Sequence, residues 1–302
     1  MKSRLLGLQR FSPAGWLHVI GDDVASFLQG QCSQDVVALP VGRVAYGLWL
    51  TQKGRVEADS LVLRVGEREY WLLCEAVAGK SLRERLERFI IADDVTVVDA
   101  TASVEAAWLV GPAEDWAERL GGKALEVGEV RPWAGGWLLR DPRAGGWRSA
   151  WVGPAGLASA WSAGIAELLP ERGEAVRIEA GILRVPEDIG PGELPNEGGL
   201  EQDAISYSKG CYLGQETVAR LRAMGQLRRR LHRVRGAGEV PGPSAKDLFQ
   251  GGRRVGELRS RVSDGAGGFV GYALLTLLHL DPSRGLALGE AEPETLVVGE
   301  PV

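Results

Sequence analysis

Two strand-like runs, VAYGLWL (44–50) and VEADSLVLRV (56–65), flank the pentapeptide TQKGR. Lys53-Gly54 suits a hairpin turn, so the pair predicts two antiparallel strands. This hairpin constrains the fold most, because a sheet joined so tightly cannot be all-parallel. The elements around it are mixed. Upstream, GDDVASFLQGQCSQDVVAL offers Asp22 or Asp23 as cap of a short helix carrying Val24, Phe27 and Leu28. Downstream, YWLLCEAV predicts a strand and DVTVVDAT another. Between them GKSLRERLERFII predicts an amphipathic helix with Leu82, Leu86, Phe89 and Ile90 on one face. The mixture is an α+β domain with partly antiparallel sheets.

A second α+β stretch follows. EAAWLVGP is a strand, EDWAERLG a helix stopped by Gly121-Gly122, WLLRD and WRSAWVGP strands, and GLASAWSAGIAELLP a helix. AVRIEAGILRVPEDI starts on a short helix. Pro186, Gly190, Pro191, Gly192 and Pro195 then make a long irregular loop to NEGGL, of a length that is usually functional or disordered. From about Leu227 the texture changes. RRRLHRVRG, KDLFQGG, RRVGELRSRVS, GFVGYALLTL and TLVVGEPV read as short strands of a small all-β barrel or sandwich, which puts a boundary near Gly225. A chain of 302 residues is in any case too long for one ordinary core.

Several function classes are excluded. No uncharged apolar run reaches the ~18 residues of a membrane span. The first residues carry Lys2 and Arg4 but no sustained apolar stretch, so no signal peptide is expected. Cys32, Cys74 and Cys211 lie far apart without a Cys-x-x-Cys, which points to a reducing cytoplasm. His18, His232 and His279 lack metal-type spacing, so no metal site is expected. No phosphate loop, dinucleotide fingerprint, Gly-x-Ser-x-Gly elbow or His-Glu-x-x-His helix occurs, which removes the common NTPase, dehydrogenase, hydrolase and metalloprotease readings. The net charge of −5 argues against wholesale binding of a polyanion. Yet Thr217–Gly238 contains no acid and holds Arg220, Arg222, Arg228, Arg229, Arg230, Arg233 and Arg235. Such a run is either a solvated strand face or an anion-binding patch.

Four constellations carry chemistry. In KGCYLGQETVAR (209–220) Lys209 stands two positions from Cys211, and a nearby cation favours the reactive thiolate. The alternative is a small buried apolar residue, common for a free Cys. Gly210 and Gly214 permit a sharp turn or a close backbone approach. If GQETVARL is helical, Glu216 and Arg220 are i and i+4 and can form a salt bridge worth ~0.3–0.5 kcal/mol. Glu197, after the Pro/Gly loop, is either a surface acid or a carboxylate for the flat N–C–N edge of a guanidinium or a pterin. The amide string FLQGQCSQD, with Gln29, Gln31 and Asp35, suits a heterocycle or ends a helix. The ten tryptophans, Trp49, Trp71, Trp108 and Trp151 among them, read mostly as core.

KGCYLGQETVAR also resembles the Lys-Gly-Cys-[Phe/Tyr]-x-Gly-Gln-Glu signature of the YgfZ family of folate-binding proteins, relatives of the glycine cleavage T-protein, an aminomethyltransferase. FLQGQCSQDV is similar to the family's Phe-Leu-Gln-Gly-Gln-x-[Thr/Ser]-x-Asp segment, and LTQKGRVEAD to its Leu-x-x-x-Gly-Arg-x-x-x-Asp turn. RIEAGILRV, LPNEGGLEQDAISYSKGCYLGQE, GRRVGELRS and VGYALL extend the similarity over nearly the whole chain, most weakly between about Thr101 and Arg172.

The resemblance implies two similar α+β subdomains forming a folate-binding core, with a C-terminal β-barrel, arranged as a ring around a channel for tetrahydrofolate. The matching division is 1–100 with part of 175–225, then 101–225, then 226–302. It implies a role in assembly or repair of iron–sulfur clusters, with clients such as a tRNA methylthiotransferase. Cys211 is then the key residue with Lys209 beside it. Tyr212, Gln29, Gln31, Asp35 and Glu197 line the cavity, Arg177 meets the folate glutamate tail, and Gly210, Gly214, Gln215, Glu216 and Arg220 support the loop.

Two stretches depart from the transferases. Where those carry Gly-Tyr-Thr-Gly-Glu this chain reads LRDPRAGGWRSAWV, and Glu75 is the only acid shortly after the YWLLC strand. Aminomethyl transfer needs a group that steers protonation at the reacting nitrogen. Folate binding is therefore the first expectation and aminomethyl transfer the alternative. Docking of nucleic acid or protein on the Arg220–Arg235 patch is a third reading, placed last by the acidic net charge.

Overall fold

The computed structural model describes residues 6–302 except 245, 279 and 282. Lys2, Arg4 and His279 therefore lie outside the described residues. The chain forms two compact units, residues 1–168 with 203–215 and residues 169–202 with 216–302.

The first unit carries β1 (Gly7–Phe11), β2 (Gly15–Ile20), α1 (Val24–Gln31), β3 (Arg43–Leu50), β4 (Val56–Gly66), β5 (Glu69–Cys74), α2 (Gly79–Glu87) and β6 (Thr96–Asp99). It continues with β7 (Val104–Val110), α3 (Ala113–Arg119), β8 (Val130–Trp133), β9 (Gly136–Arg140), β10 (Arg148–Pro154) and α4 (Ala158–Ser162). Its strands make two five-stranded sheets, β3-β4-β5-β2-β6 and β1-β7-β10-β9-β8, with antiparallel pairing between neighbours.

The hairpin that dominates the sequence forms as β3–β4. Gly54 supplies the positive φ of 68° that its tight turn requires. Alternation along the strands sends Trp49, Ala58, Val62, Tyr70 and Leu72 to one face. There they pack on Val24, Phe27 and Leu28 of α1 and Leu82 and Leu86 of α2. Cys32, just after α1, fills the space above β3. A Cβ on Gly47 would stand 2.3 Å from its Sγ. In the other sheet Leu8, Ala107, Leu109, Leu138 and Trp151 pack on Trp116 and Leu120. The two sheets are joined by the bonds Val44 N to Gly128 O (2.7 Å) and Val130 N to Gly42 O (2.9 Å).

Local expectations are corrected at three places. Asp23 stands at the N-cap of α1 without a side-chain cap bond, because its carboxylate accepts the Asp94 N–H at 2.8 Å. The second helix ends at Glu87, and Phe89 and Ile90 pack on the core from the following turn. Of the helix expected over 156–170 only Ala158–Ser162 forms. Gly164 takes a positive φ of 75°, and the chain beyond it pairs with β1 through Leu8 N to Ala166 O and Leu168 N to Leu8 O. Strands β1, β2 and β8 are additional to those expected; β1 and β8 carry no clear alternation, and β8 contains Pro132.

The second unit contains α5 (Pro170–Ala180), most of α6 (Gln215–Met224), β11 (Arg229–Ala237), β12 (Asp247–Gln250), β13 (Arg253–Ser263), β14 (Gly268–Thr276) and β15 (Val297–Pro301). Pro170 opens α5 and Gly181, at φ 79°, closes it. The expected barrel strands are present as one antiparallel sheet, β12-β13-β14-β11-β15. The buried Tyr272 hydroxyl ties β14 to α5 by donating to Ile178 O at 3.0 Å. Among the described residues no helix is long and apolar enough to cross a membrane.

Candidate functional site

The signature loop and the amide string meet in the first unit. Lys209 Nζ donates to the carbonyls of Gln29 (2.7 Å), Cys32 (2.7 Å) and Gln34 (2.8 Å). An ammonium has three N–H donors, and all three are used on carbonyls at the C-terminal end of α1 and just beyond it, where a cation is favoured. Loss of water lowers the Lys209 pKa, with Cys32 and Asp35 acting against that shift. Beyond the cysteine, Leu213 N donates to Gly30 O at 3.0 Å. Ser33, Gln34 and Ser206 add Ser33 Oγ to Ala204 O (2.6 Å), Gln34 Nε2 to Asp203 O (3.0 Å) and Ser206 N to Ser33 O (3.0 Å).

Cys211 is exposed and unpaired, so the buried-apolar reading is overturned, whereas Cys32 and Cys74 are buried. Burial raises the pKa of both buried thiols. Tyr212 is buried under the loop, its ring 5.1 Å from Lys209 Nζ, and burial pushes its hydroxyl up to about 12. Gln215 Oε1 accepts the Tyr212 N–H at 3.1 Å and holds the turn. Gly214, at φ 86°, lies where a Cβ would meet Thr51 O at 2.4 Å. Gly210 differs: a Cβ there would meet nothing within 4 Å, so close approach does not explain it. Glu216 and Arg220 are exposed and, among the described residues, no ion pair joins them, which corrects the expected helical salt bridge.

The amide string serves the loop itself. Gln29 Nε2 donates to Asp35 Oδ1 (2.9 Å) and Gln29 Oε1 accepts from Val36 N (2.9 Å) and Val37 N (3.1 Å). Asp35 Oδ1 also accepts the Ala38 N–H at 3.1 Å. Gln31 Oε1 lies 3.5 Å from Arg85 Nη1.

Arg177 and Glu197 belong to the second unit, and both have internal partners. Arg177 is buried and donates to Glu174 through Nε (2.9 Å) and Nη2 (2.6 Å), and to Asp188 through Nη1 (2.7 Å). It ties α5 to the loop that follows, which corrects its expected role as an open cation for the folate tail. Glu197 does accept a flat N–C–N edge, but that of Arg229, whose Nε and Nη2 both lie at 3.0 Å. The bidentate geometry a pterin needs is already filled. Within the arginine-rich segment Arg230 donates to the Glu201 carboxylate, Arg233 to the Glu179 carbonyl and Arg235 to the Glu179 carboxylate.

A buried charge network in the first unit has no counterpart in the motifs. Glu75 Oε1 accepts from Arg143 Nη2 (2.6 Å) and Arg148 Nη2 (2.7 Å). Asp141 accepts from Arg143 Nε (2.9 Å) and Arg148 Nε (3.0 Å). Both guanidiniums lie over aromatic rings, Arg143 at 4.5 Å from the Tyr46 centroid and Arg148 at 3.5 Å from that of Trp108. Burial would raise the Glu75 pKa, but Arg148 and Arg143 hold it down to about 2. Nearby, Asp59 accepts the Tyr46 hydroxyl at 2.9 Å. Burial lifts its carboxyl to about 7 despite Arg143. Asp203, also near Arg143, is raised by partial loss of water. The hairpin register does place Tyr46 and Asp59 on one face, since Leu48 opposes Asp59 and Tyr46 opposes Leu61. No spacing signals the remaining members. Among the described residues no group of three or more His, Cys, Asp or Glu is placed to hold a metal ion.

The geometry can be set beside known proteins. A model of the GCVT N-terminal domain matches residues 5–125. The human mitochondrial iron–sulfur cluster assembly factor IBA57 is 30% identical, with 92% of this chain and 82% of that protein aligned. The tRNA-modifying protein YgfZ of Vibrio vulnificus strain YJ016 is 28% identical, with 93% and 84% aligned. Among solved structures, the glycine cleavage system aminomethyltransferase T from Bartonella henselae superposes with a TM-score of 0.80 at 18% identity, over 98% of this chain and 86% of that one. That likeness shows a common fold.

Proposed function

Because this chain belongs to the family of the IBA57 iron–sulfur cluster assembly factors and the YgfZ tRNA-modifying proteins, we propose that it is a tetrahydrofolate-binding accessory protein for iron–sulfur cluster assembly or repair. The observation that carries this reading is the exposed Cys211 thiol, on a loop tied down on both sides, in a chain similar over 92% of its length to a cluster assembly factor. Cysteine thiolates are the usual protein ligands of iron in such clusters, and only the thiolate ligates. Cys211 is the group that meets the client's cluster or its iron. Clients such as a tRNA methylthiotransferase, and a cytoplasmic setting suited to three free cysteines, belong to this proposal.

The first unit offers acids that suit a pterin. Asp59 and Asp203 carry carboxyls for which no ion-pair partner exists among the described residues, and both are raised by loss of water. An ionised carboxylate with both oxygens free can take the N–C–N donor edge of a pterin in two hydrogen bonds, and of the two acids we assign that role to the exposed Asp203. Asp59 accepts the Tyr46 hydroxyl, while Glu75, Arg143 and Arg148 keep the surrounding charge fixed. When bound, tetrahydrofolate supplies nucleophilic nitrogens that carry one-carbon groups. In this reading 1–100, with part of 175–225, and 101–225 are halves of the folate-binding core, and 226–302 closes into a small barrel.

Titration with tetrahydrofolate tests the proposal. A ligand that binds only the native state raises its thermal midpoint. Wild type and Cys211→Ala are expected to shift alike, with only wild type restoring an iron–sulfur enzyme in cells lacking the protein. No shift at millimolar folate would sink the folate part. Formation of methylene-tetrahydrofolate from an aminomethyl donor would favour the transferase alternative, which the common fold with aminomethyltransferase T keeps in view.

A further inference from the structure

A lysine two positions from a working cysteine invites a role in lowering its pKa. The Lys209 ammonium is occupied otherwise. Its three bonds of 2.7–2.8 Å go to main-chain carbonyls at the end of α1 and just beyond it. Helix ends leave carbonyls without intrahelical partners, and oxygens that converge on one point repel unless a cation sits among them. On the other side of the thiol, Leu213 N holds Gly30 O of the same helix end at 3.0 Å, and Gly214 is wedged against Thr51. Cys211 is thus an exposed side chain on backbone pinned two residues before it and two residues after it.

We propose that Lys209 is a positioning residue whose ammonium ties the signature loop to the end of α1 and so fixes where the Cys211 thiol is presented. This rests on the reading of Cys211 as the working thiol. A thiol that must meet iron held by another protein gains from a fixed position, because less ordering remains to be done on encounter. The geometry also selects the residue type. Three carbonyls around one point suit the rotatable donors of an ammonium and not the planar fork of a guanidinium.

The test uses a nitroxide label, which takes Cys211 because Cys32 and Cys74 are buried. In Lys209→Met, which keeps the apolar stem, the label is expected to become more mobile. The Leu213 amide is expected to exchange with solvent about tenfold faster or more, well below the thermal midpoint. In Lys209→Ala, methylammonium is expected to restore both signals, and tetramethylammonium, which has no N–H, is not. Lys209→Arg is expected to behave like Lys209→Met. Unchanged label mobility and exchange in Lys209→Met overturn the proposal, as does equal rescue by the two ions. If Lys209→Ala folds only with methylammonium present, that is itself rescue and supports it. The underlying reading fails separately: full complementation by Cys211→Ser removes Cys211 as the working thiol, whatever the label reports.

Discussion

Arg143 donates to Glu75 at 2.6 Å, and through that bond two departures from the aminomethyltransferase pattern close on each other. The stretch LRDPRAGGWRSAWV supplies Asp141, Arg143 and Arg148, and the end of β5 supplies Glu75. The acid following that strand is therefore a partly buried counter-ion of two buried guanidiniums.

Glu75→Ala leaves two buried arginines with Asp141 alone, and removing one partner from a buried ion network typically costs ~3–5 kcal/mol. Urea unfolding should show a loss of that order. A variant within about 0.5 kcal/mol of wild type would contradict the network's role.

The two acids respond oppositely to pH. Glu75, held at about 2 against an ordinary 4.5, contributes stability that is present above 4.5 and lost as pH falls through about 2. Asp59, raised to about 7 from 3.8, contributes stability that is full below 3.8 and lost as pH rises through about 7. Asp59→Asn, which can still accept from Tyr46, should therefore be more stable than wild type at pH 8, by on the order of 1–3 kcal/mol, and lose that advantage by pH 4. Thermal midpoints at the two pH values check the sign.

The two glycines of the signature loop should separate cleanly. Gly214→Ala places a Cβ 2.4 Å from Thr51 O at a φ of 86° and should destabilise by about 1–3 kcal/mol. Gly210→Ala meets open space and should stay within about 0.5 kcal/mol of wild type. Denaturant midpoints measured side by side decide this.

Thiol titration of the native protein should modify Cys211 alone, with Cys32 and Cys74 reacting only on unfolding. Rapid reaction of a second cysteine in the folded state would show that the burial described for Cys32 or Cys74 is not maintained in solution.

The hairpin, the core-facing residues of α1 and α2 and the glycine-punctuated strands of the second unit were legible because burial imposes a period of 2 or 3.6. The charge network was not. Arg148 and Glu75 are 73 residues apart, and charged side chains at or just beyond strand ends carry no period of their own. The motif residues were visible as residues but not in their roles. Nothing in KGC shows that its lysine reaches carbonyls 175–180 positions away, or that Glu197 meets Arg229 before any ligand does. Those roles depend on the tertiary path of the chain.

The first unit closes only when residues 203–215 return to it. A nascent chain is made from its N-terminus, and domains generally fold as they emerge. Here α1 is finished early, yet the cation for its final carbonyls is the residue at 209, and the whole of α5 is synthesised in between. On the ribosome the N-terminal unit is therefore expected to wait for its own last segment, with the end of α1 left to water until Lys209 arrives.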